Sequence, residues 1–226
     1  NMLFNVAPVY GLLGRLDEGI ALGRRALAAL EKKHGNGPEL VPLLDSLADM
    51  QASAGKPDQA ELLLGRLQAI ARARAMPRIE AAALEKLAQI DLEAGRNEEA
   101  ARRYHLALTL YEGDQVSDSP AGARALAGIA TALARQGKRR QAADHFRIAL
   151  KQAGGDAVLR ADILGRQAQA EAGAGRYAAA ARQLRESLAL AEGALGAEHP
   201  SLIEPLSRLG EVERAAGRPS RAEAAL

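Results

Sequence analysis

Apolar, small and polar positions follow one another in the same order six times along the chain. A Gly followed by a basic residue marks the phase, at Gly14-Arg15, Gly55-Lys56, Gly95-Arg96, Gly137-Lys138, Gly175-Arg176 and Gly217-Arg218. The intervals are 41, 40, 42, 38 and 42 residues. Eleven residues before each Gly stands Leu3, Leu44, Leu84, Leu126, Leu164 or Leu206; seven before stands Ala7, Ala48, Ala88, Ala130, Ala168 or Gly210. Five after stands Gly19, Ala60, Ala100, Ala142, Ala180 or Ala222.

This pattern predicts a helical hairpin. The Leu and the small residue four later share one face, because four residues make about one turn. Gly takes the left-handed position that ends a helix, and the basic residue behind it suits the negative end of that helix's dipole. Acidic or capping residues, Asp17-Glu18, Asp58, Asn97-Glu98 and Ser220, open the next helix. The small residue on each helix lets the pair approach closely. Each repeat is therefore helix A, a tight turn and helix B.

Breaker clusters at Gly35-Asn36-Gly37-Pro38, Gly113 to Pro120 and Gly154-Gly155-Asp156 separate the repeats. Pro38, Pro120 and Pro200 stand seventeen residues before their Gly, where Pro suits a first helical turn. No composition shift marks a domain boundary, so a single domain over 1–226 is expected. Its repeats fall at about 1–33, 38–75, 78–112, 120–153, 157–194 and 200–226. The first helix looks clipped and the last ends inside helix B, which suggests a piece of a longer protein with flanking domains.

Composition agrees with an all-α protein. Apolar residues make up 48% and aromatics 3%, so the apolar mass is Ala and Leu rather than strand formers. A net charge of +2 is too small to draw the chain to nucleic acid or anionic lipid. Absence of Cys excludes disulfides and thiolate metal sites, and fits either redox compartment. No apolar run is long enough to span a membrane, and the N-terminal stretch is too polar for a signal peptide. The cytoplasm is the expected compartment, and an Arg- and Ala-rich, Lys-poor composition suggests a bacterial-type protein.

The segment LAGIATALARQGKRRQAADHFRIAL, with Leu126, Ala130, Gly137, Ala142 and Ala149, resembles the tetratricopeptide repeat. The resemblance covers essentially the whole chain. The period exceeds the usual length of about 34 residues and is similar to the extended repeats of kinesin light chains. Leu195-Gly196 and His199-Pro200 match a signature of that subtype. HEAT and armadillo arrays share the period, but the small–Gly–Ala spacing argues against them. The resemblance implies a right-handed superhelical solenoid of antiparallel helix pairs, about six in number, whose concave face is lined by helix A.

Several positions depart from the pattern. Gly19 and Gly23 weaken the first helix B, each by about 1 kcal/mol relative to Ala. Gln167 replaces an apolar residue. The aromatic that the family often carries four residues before the turn is present as Tyr10, whereas Asp91, Glu171 and Glu213 stand there in other repeats. Looser packing is expected at those units.

On a helical wheel, positions thirteen, ten, six and two before the Gly point away from the apolar stripe. They hold Pro42, Asp45, Asp49 and Ser53; then Ala82, Glu85, Gln89 and Glu93; then Arg124, Ala127, Thr131 and Arg135; then Asp162, Gly165, Gln169 and Gly173. The candidate partner-binding residues are Asp45, Asp49, Glu85, Gln89, Glu93, Arg124, Thr131, Arg135, Asp162 and Gln169. The resulting groove is acidic in repeats two and three, basic in repeat four and lined by small residues in repeat five. Ordinary solvated polar faces give the same pattern.

Two family specialisations lack their residues. A carboxylate-gripping groove needs Asn six before the Gly, where Pro8, Asp49, Gln89, Thr131, Gln169 and Glu211 stand. The kinesin-light-chain Asn ladder has Asn5, against Ser46, Lys86, Gly128, Arg166 and Arg208 elsewhere.

Catalysis finds no support. His34, His105, His145 and His199 fall at different phases with no metal-ligand spacing, and no phosphate-cradling Gly run or nucleophile elbow occurs. No enzyme activity, cofactor or metal is expected. The basic cluster around Lys138, Arg139 and Arg140 reads as a solvated turn, since Phe146 is assigned to the core and nothing remains for base stacking. The expected function is a scaffold or adaptor that binds a peptide or helix of a protein partner. The alternative is a sensor whose groove closes on a small peptide or ligand, with Gly19, Gly23, Gly165 and Gly173 supplying compliance.

Overall fold

A computed structural model describes residues 15–113, 119–218 and 220. Leu3, Asn5, Ala7, Tyr10, Gly14 and Ala222 lie outside the described residues. Every regular element among the described residues is helical. They are α1 (Leu16–His34), α2 (Val41–Ser53), α3 (Pro57–Ala73), α4 (Pro77–Glu93), α5 (Asn97–Gly113), α6 (Pro120–Arg135), α7 (Arg139–Gln152), α8 (Ala157–Gly173), α9 (Tyr177–Leu195) and α10 (Ile203–Ala215). Short 3-10 turns at Pro38–Leu40 and Pro200–Leu202 lead into α2 and α10. Pro38 and Pro200 thus open 3-10 turns, while Pro120 opens an α-helix as expected.

The chain divides into two compact units, Asn1–Gln115 and Val116–Leu226. In the N-terminal unit α1 to α5 pack in sequence, each against the next. In the C-terminal unit α6 packs on α7, α8 on α9 and α9 on α10, and α6 also touches α8, helix A against helix A.

The hairpin turns form as the spacing predicts. Gly55, Gly95, Gly137, Gly175 and Gly217 have φ between 69° and 78°, a region closed to most side chains. In each turn the amide after the Gly donates to a carbonyl five residues earlier, as Arg96 N does to Asp91 O at 2.8 Å and Lys138 N to Leu133 O at 2.9 Å. These bonds satisfy the last carbonyls of helix A.

The repeating small residues sit at the crossings. Ala48, Ala88, Ala130 and Ala168 on the A helices, and Ala60, Ala100, Ala142 and Ala180 on the B helices, are all 3% exposed or less. Between these contacts lie the branched side chains that supply the burial, Leu43, Leu44, Leu47, Leu67 and Ile70 in one core and Leu184, Leu188, Leu202 and Leu209 in another.

Gly23 has a role that propensity alone does not suggest. A Cβ built there would lie 2.5 Å from Leu47 Cδ2, so its absence lets α1 seat against α2. Asp91 and Glu213, which replace the aromatic of the pattern, are not solvent-exposed. Both carboxylates are buried, and arginines clasp them: Arg96 and Arg103 hold Asp91, while Arg185 and Arg218 hold Glu213.

Candidate functional site

In the N-terminal unit the candidate residues lie on α2 and α4. Asp45 is half-buried and Asp49 exposed; Glu85 and Gln89 are half-buried and Glu93 is exposed. Lys86, on α4, connects the two helices. Its Nζ lies 2.6 Å from Asp45 Oδ1 and 2.7 Å from Asp49 Oδ1. Burial by itself would lower the Lys86 pKa, but hydrogen bonds and charge from both aspartates outweigh it and raise the pKa above the ordinary value. Further along α4, Gln89 Nε2 donates to Glu93 Oε1 at 2.8 Å, and Tyr104 Oη donates to Gln89 Oε1 at 3.4 Å from α5. The acidic stretch is therefore partly neutralised from within.

Lys86 was not among the candidate residues. The signal for it was present, because the position nine before the Gly is basic in three repeats: Lys86, Arg166 and Arg208. Arg166 pairs with Asp162 at 2.9 Å and Arg208 with Glu204 at 2.6 Å, each one turn back on its own helix. Lys86 faces Ala82 at that point and turns instead to the preceding repeat.

In the C-terminal unit Arg124 and Arg135 are exposed on α6, as expected. Thr131 is not on an open face: it is 6% exposed, and its hydroxyl donates to Ala127 O at 2.9 Å. The reason is that α6 is apolar on nearly every side, with Gly122 and Ala123 and every residue from Ala125 to Leu133 buried. On α8, Asp162 is exposed and paired with Arg166. Gln169 is exposed at the mouth of a cavity of about 150 Å³ between α8, α9 and α10. Of the two small residues expected to face the groove in repeat five, Gly165 lines this cavity, together with Ala168 and Ala172, and Gly173 does not.

Other groups are accounted for structurally. His199 Nδ1 accepts from Ser201 N at 3.2 Å and caps the 3-10 turn before α10. Lys138, Arg139 and Arg140 are exposed at the α6–α7 turn. Among the described residues no group of three His, Cys, Asp or Glu could hold a metal ion, and no helix is long and apolar enough to cross a membrane.

The Tetratricopeptide repeat model matches residues 1–73 and 159–226, more than half of the chain. The chain belongs to the tetratricopeptide repeat family. That family is one of protein-interaction scaffolds, and its helix-pair solenoid is the fold seen here. No curated protein matches the sequence significantly. Among solved structures, the chain is similar to BtubC (BKLC) from P. vanneervenii, with a TM-score of 0.70 at 20% identity over 93% of this chain and 88% of that one. It is also similar to aspartyl phosphate phosphatase F from Bacillus subtilis, with a TM-score of 0.75 at 12% identity. That match covers 99% of this tetratricopeptide chain and 56% of the phosphatase, so the chain spans little more than half of it. A putative kinesin light chain repeat protein from Podosopora anserina matches with a TM-score of 0.52 at 17% identity over 99% of this chain and 90% of that one.

Proposed function

We propose that the helix-A faces bind an extended or helical segment of a protein partner, which makes the chain an adaptor rather than an enzyme. The observation that supports this most directly is the contact of Lys86 with Asp45 and Asp49. It joins polar positions of consecutive repeats, 41 and 37 residues apart, into one face. A segment lying across α2 and α4 meets alternating carboxylate, ammonium and amide groups, which set its register, while burial along several helices supplies affinity.

The test is replacement of Asp45, Asp49, Glu85 and Glu93 by Lys, read by affinity capture and by circular dichroism. The expected result is loss of partner capture with unchanged helicity. Retained capture moves the site elsewhere on the chain. Solution scattering of the filled groove separates a rigid scaffold, whose dimensions stay constant, from a sensor, which compacts.

A further inference from the structure

The recess between α8, α9 and α10 lies where two equivalent repeat positions face each other. Gln169 and Glu211 both stand six residues before a turn glycine, Gly175 and Gly217, and both line its mouth. Ala168, Ala172, Leu184 and Val212 supply its apolar lining, Gly165 leaves one wall without a side chain, and Arg208 joins Gln169 and Glu211 in the polar lining. Its volume, about 150 Å³, is comparable to that of a cavity holding a single benzene-like ring, and a side chain seated in this open recess would take its apolar part out of water.

We infer that this recess is the anchor site of a segment bound on the C-terminal unit and takes one Leu, Met or Phe side chain that is followed or preceded by Lys or Arg. The inference rests on the peptide-groove reading above and adds to it the identity of the residue that enters. The size and apolar floor select the anchor. The charge of the rim selects its neighbour: Arg208, also at the rim, is already paired with Glu204 at 2.6 Å, whereas Glu211 has no partner among the described residues. That leaves a carboxylate beside the mouth with no ion pair among the described residues. Gln169, exposed and likewise without a partner among the described residues, offers an amide to the backbone of the incoming segment.

The small floor residues also explain why the recess stays open. Gly165 could carry a side chain, because a Cβ there would lie 3.9 Å from Ser187 Oγ, an ordinary contact. A Cβ at this point is compatible with the packing of α8 on α9. A helix-interior Gly costs stability relative to Leu, so its presence empties the site at the expense of the fold.

The experiment selects peptides from a displayed library of random twelve-residue sequences on the intact chain. The selected peptides are then measured against Gly165→Leu, Ala172→Leu, Glu211→Lys and the four-lysine variant of α2 and α4. The expected peptides carry Leu, Met or Phe next to Lys or Arg. They bind Gly165→Leu and Ala172→Leu at least tenfold more weakly and Glu211→Lys several-fold more weakly. Gly165→Leu melts no lower than the parent, so its loss of binding is not a loss of folding, and Ala172→Leu repeats the plug from another wall. Undiminished binding to both plugged variants, or selected peptides lacking an apolar residue, overturns the anchor site. If the same peptides fail on the four-lysine variant, the groove reading survives without the anchor. Failure to enrich any peptide overturns both.

Discussion

Asp91 and Arg96 meet at 2.6 Å across the turn made by Gly95, a carboxylate in the last turn of α4 held by the first residue beyond the glycine. The same hydrogen-bonded clasp joins Glu171 to Arg176, while Arg218 approaches Glu213 to 3.9 Å, an ion-pair distance without a hydrogen bond. Where the residue four before the glycine is Gln51 or Leu133, the residue after it is Lys, at Lys56 and Lys138. The tight turn folds positions five apart onto each other, so acid and Arg occur together in these repeats.

The clasp makes an asymmetric prediction. Asp91 is fully buried and is also reached by Arg103 at 3.1 Å. Replacing Arg96 and Arg103 together by Met strands that carboxylate and should cost about 3–5 kcal/mol. Asp91→Leu should stay within about 1 kcal/mol of the parent, because apolar substitution of a buried charge is often neutral and Leu133 already occupies the equivalent place. Urea denaturation measures both.

Lys86 predicts a dependence on high pH. Its folded pKa lies above 10.5, the ordinary value it has when unfolded. The stability from its bonds to Asp45 and Asp49 is therefore fully present below that value and is lost as pH rises through the folded pKa. The stability difference between the parent and Lys86→Met should shrink between neutral pH and pH 11. A difference that stays constant would falsify the contribution of the charged pair.

Ala75 closes the α3–α4 turn at φ 50°, while Met76 N donates to Ala71 O at 2.9 Å as in the glycine turns. It is the one non-glycine residue with positive φ among the described residues. Ala75→Gly should relieve the Cβ clash and add about 0.5–1 kcal/mol of stability, since glycine carries little cost there. Thermal melting should rise.

Gly23→Ala should destabilise the N-terminal unit by about 1–3 kcal/mol despite the better helix propensity of Ala, because overpacking displaces Leu47. Leu47 is fully buried. Adding Leu47→Val should recover part of the loss, and a double-mutant cycle reads the coupling.

How much was legible follows the range of the interaction. Leu84, Ala88, Gly95 and Ala100 announce a hairpin because each obeys a rule confined to one helical turn or one left-handed residue. The outward face of helix A was legible for Asp45, Asp49, Arg124 and Gln169 on the same grounds. Thr131 was misplaced because a wheel drawn for one helix does not count how many neighbours surround it, and α6 is buried on nearly every side. The pairing of Lys86 with two aspartates of the preceding repeat was invisible for a related reason: Lys has four rotatable bonds, and its partner is whatever the adjacent helix presents.

The amino-acid order alone therefore determined that the chain is helical, where each hairpin turns and which narrow residues meet at the crossings, since backbone sterics and helical period act over a few residues. Tertiary structure decided which carboxylates are neutralised, which polar residue disappears into the core and where the recess beside Gln169 opens. Those outcomes depend on the angle and depth at which whole helices cross, and no local spacing encodes them.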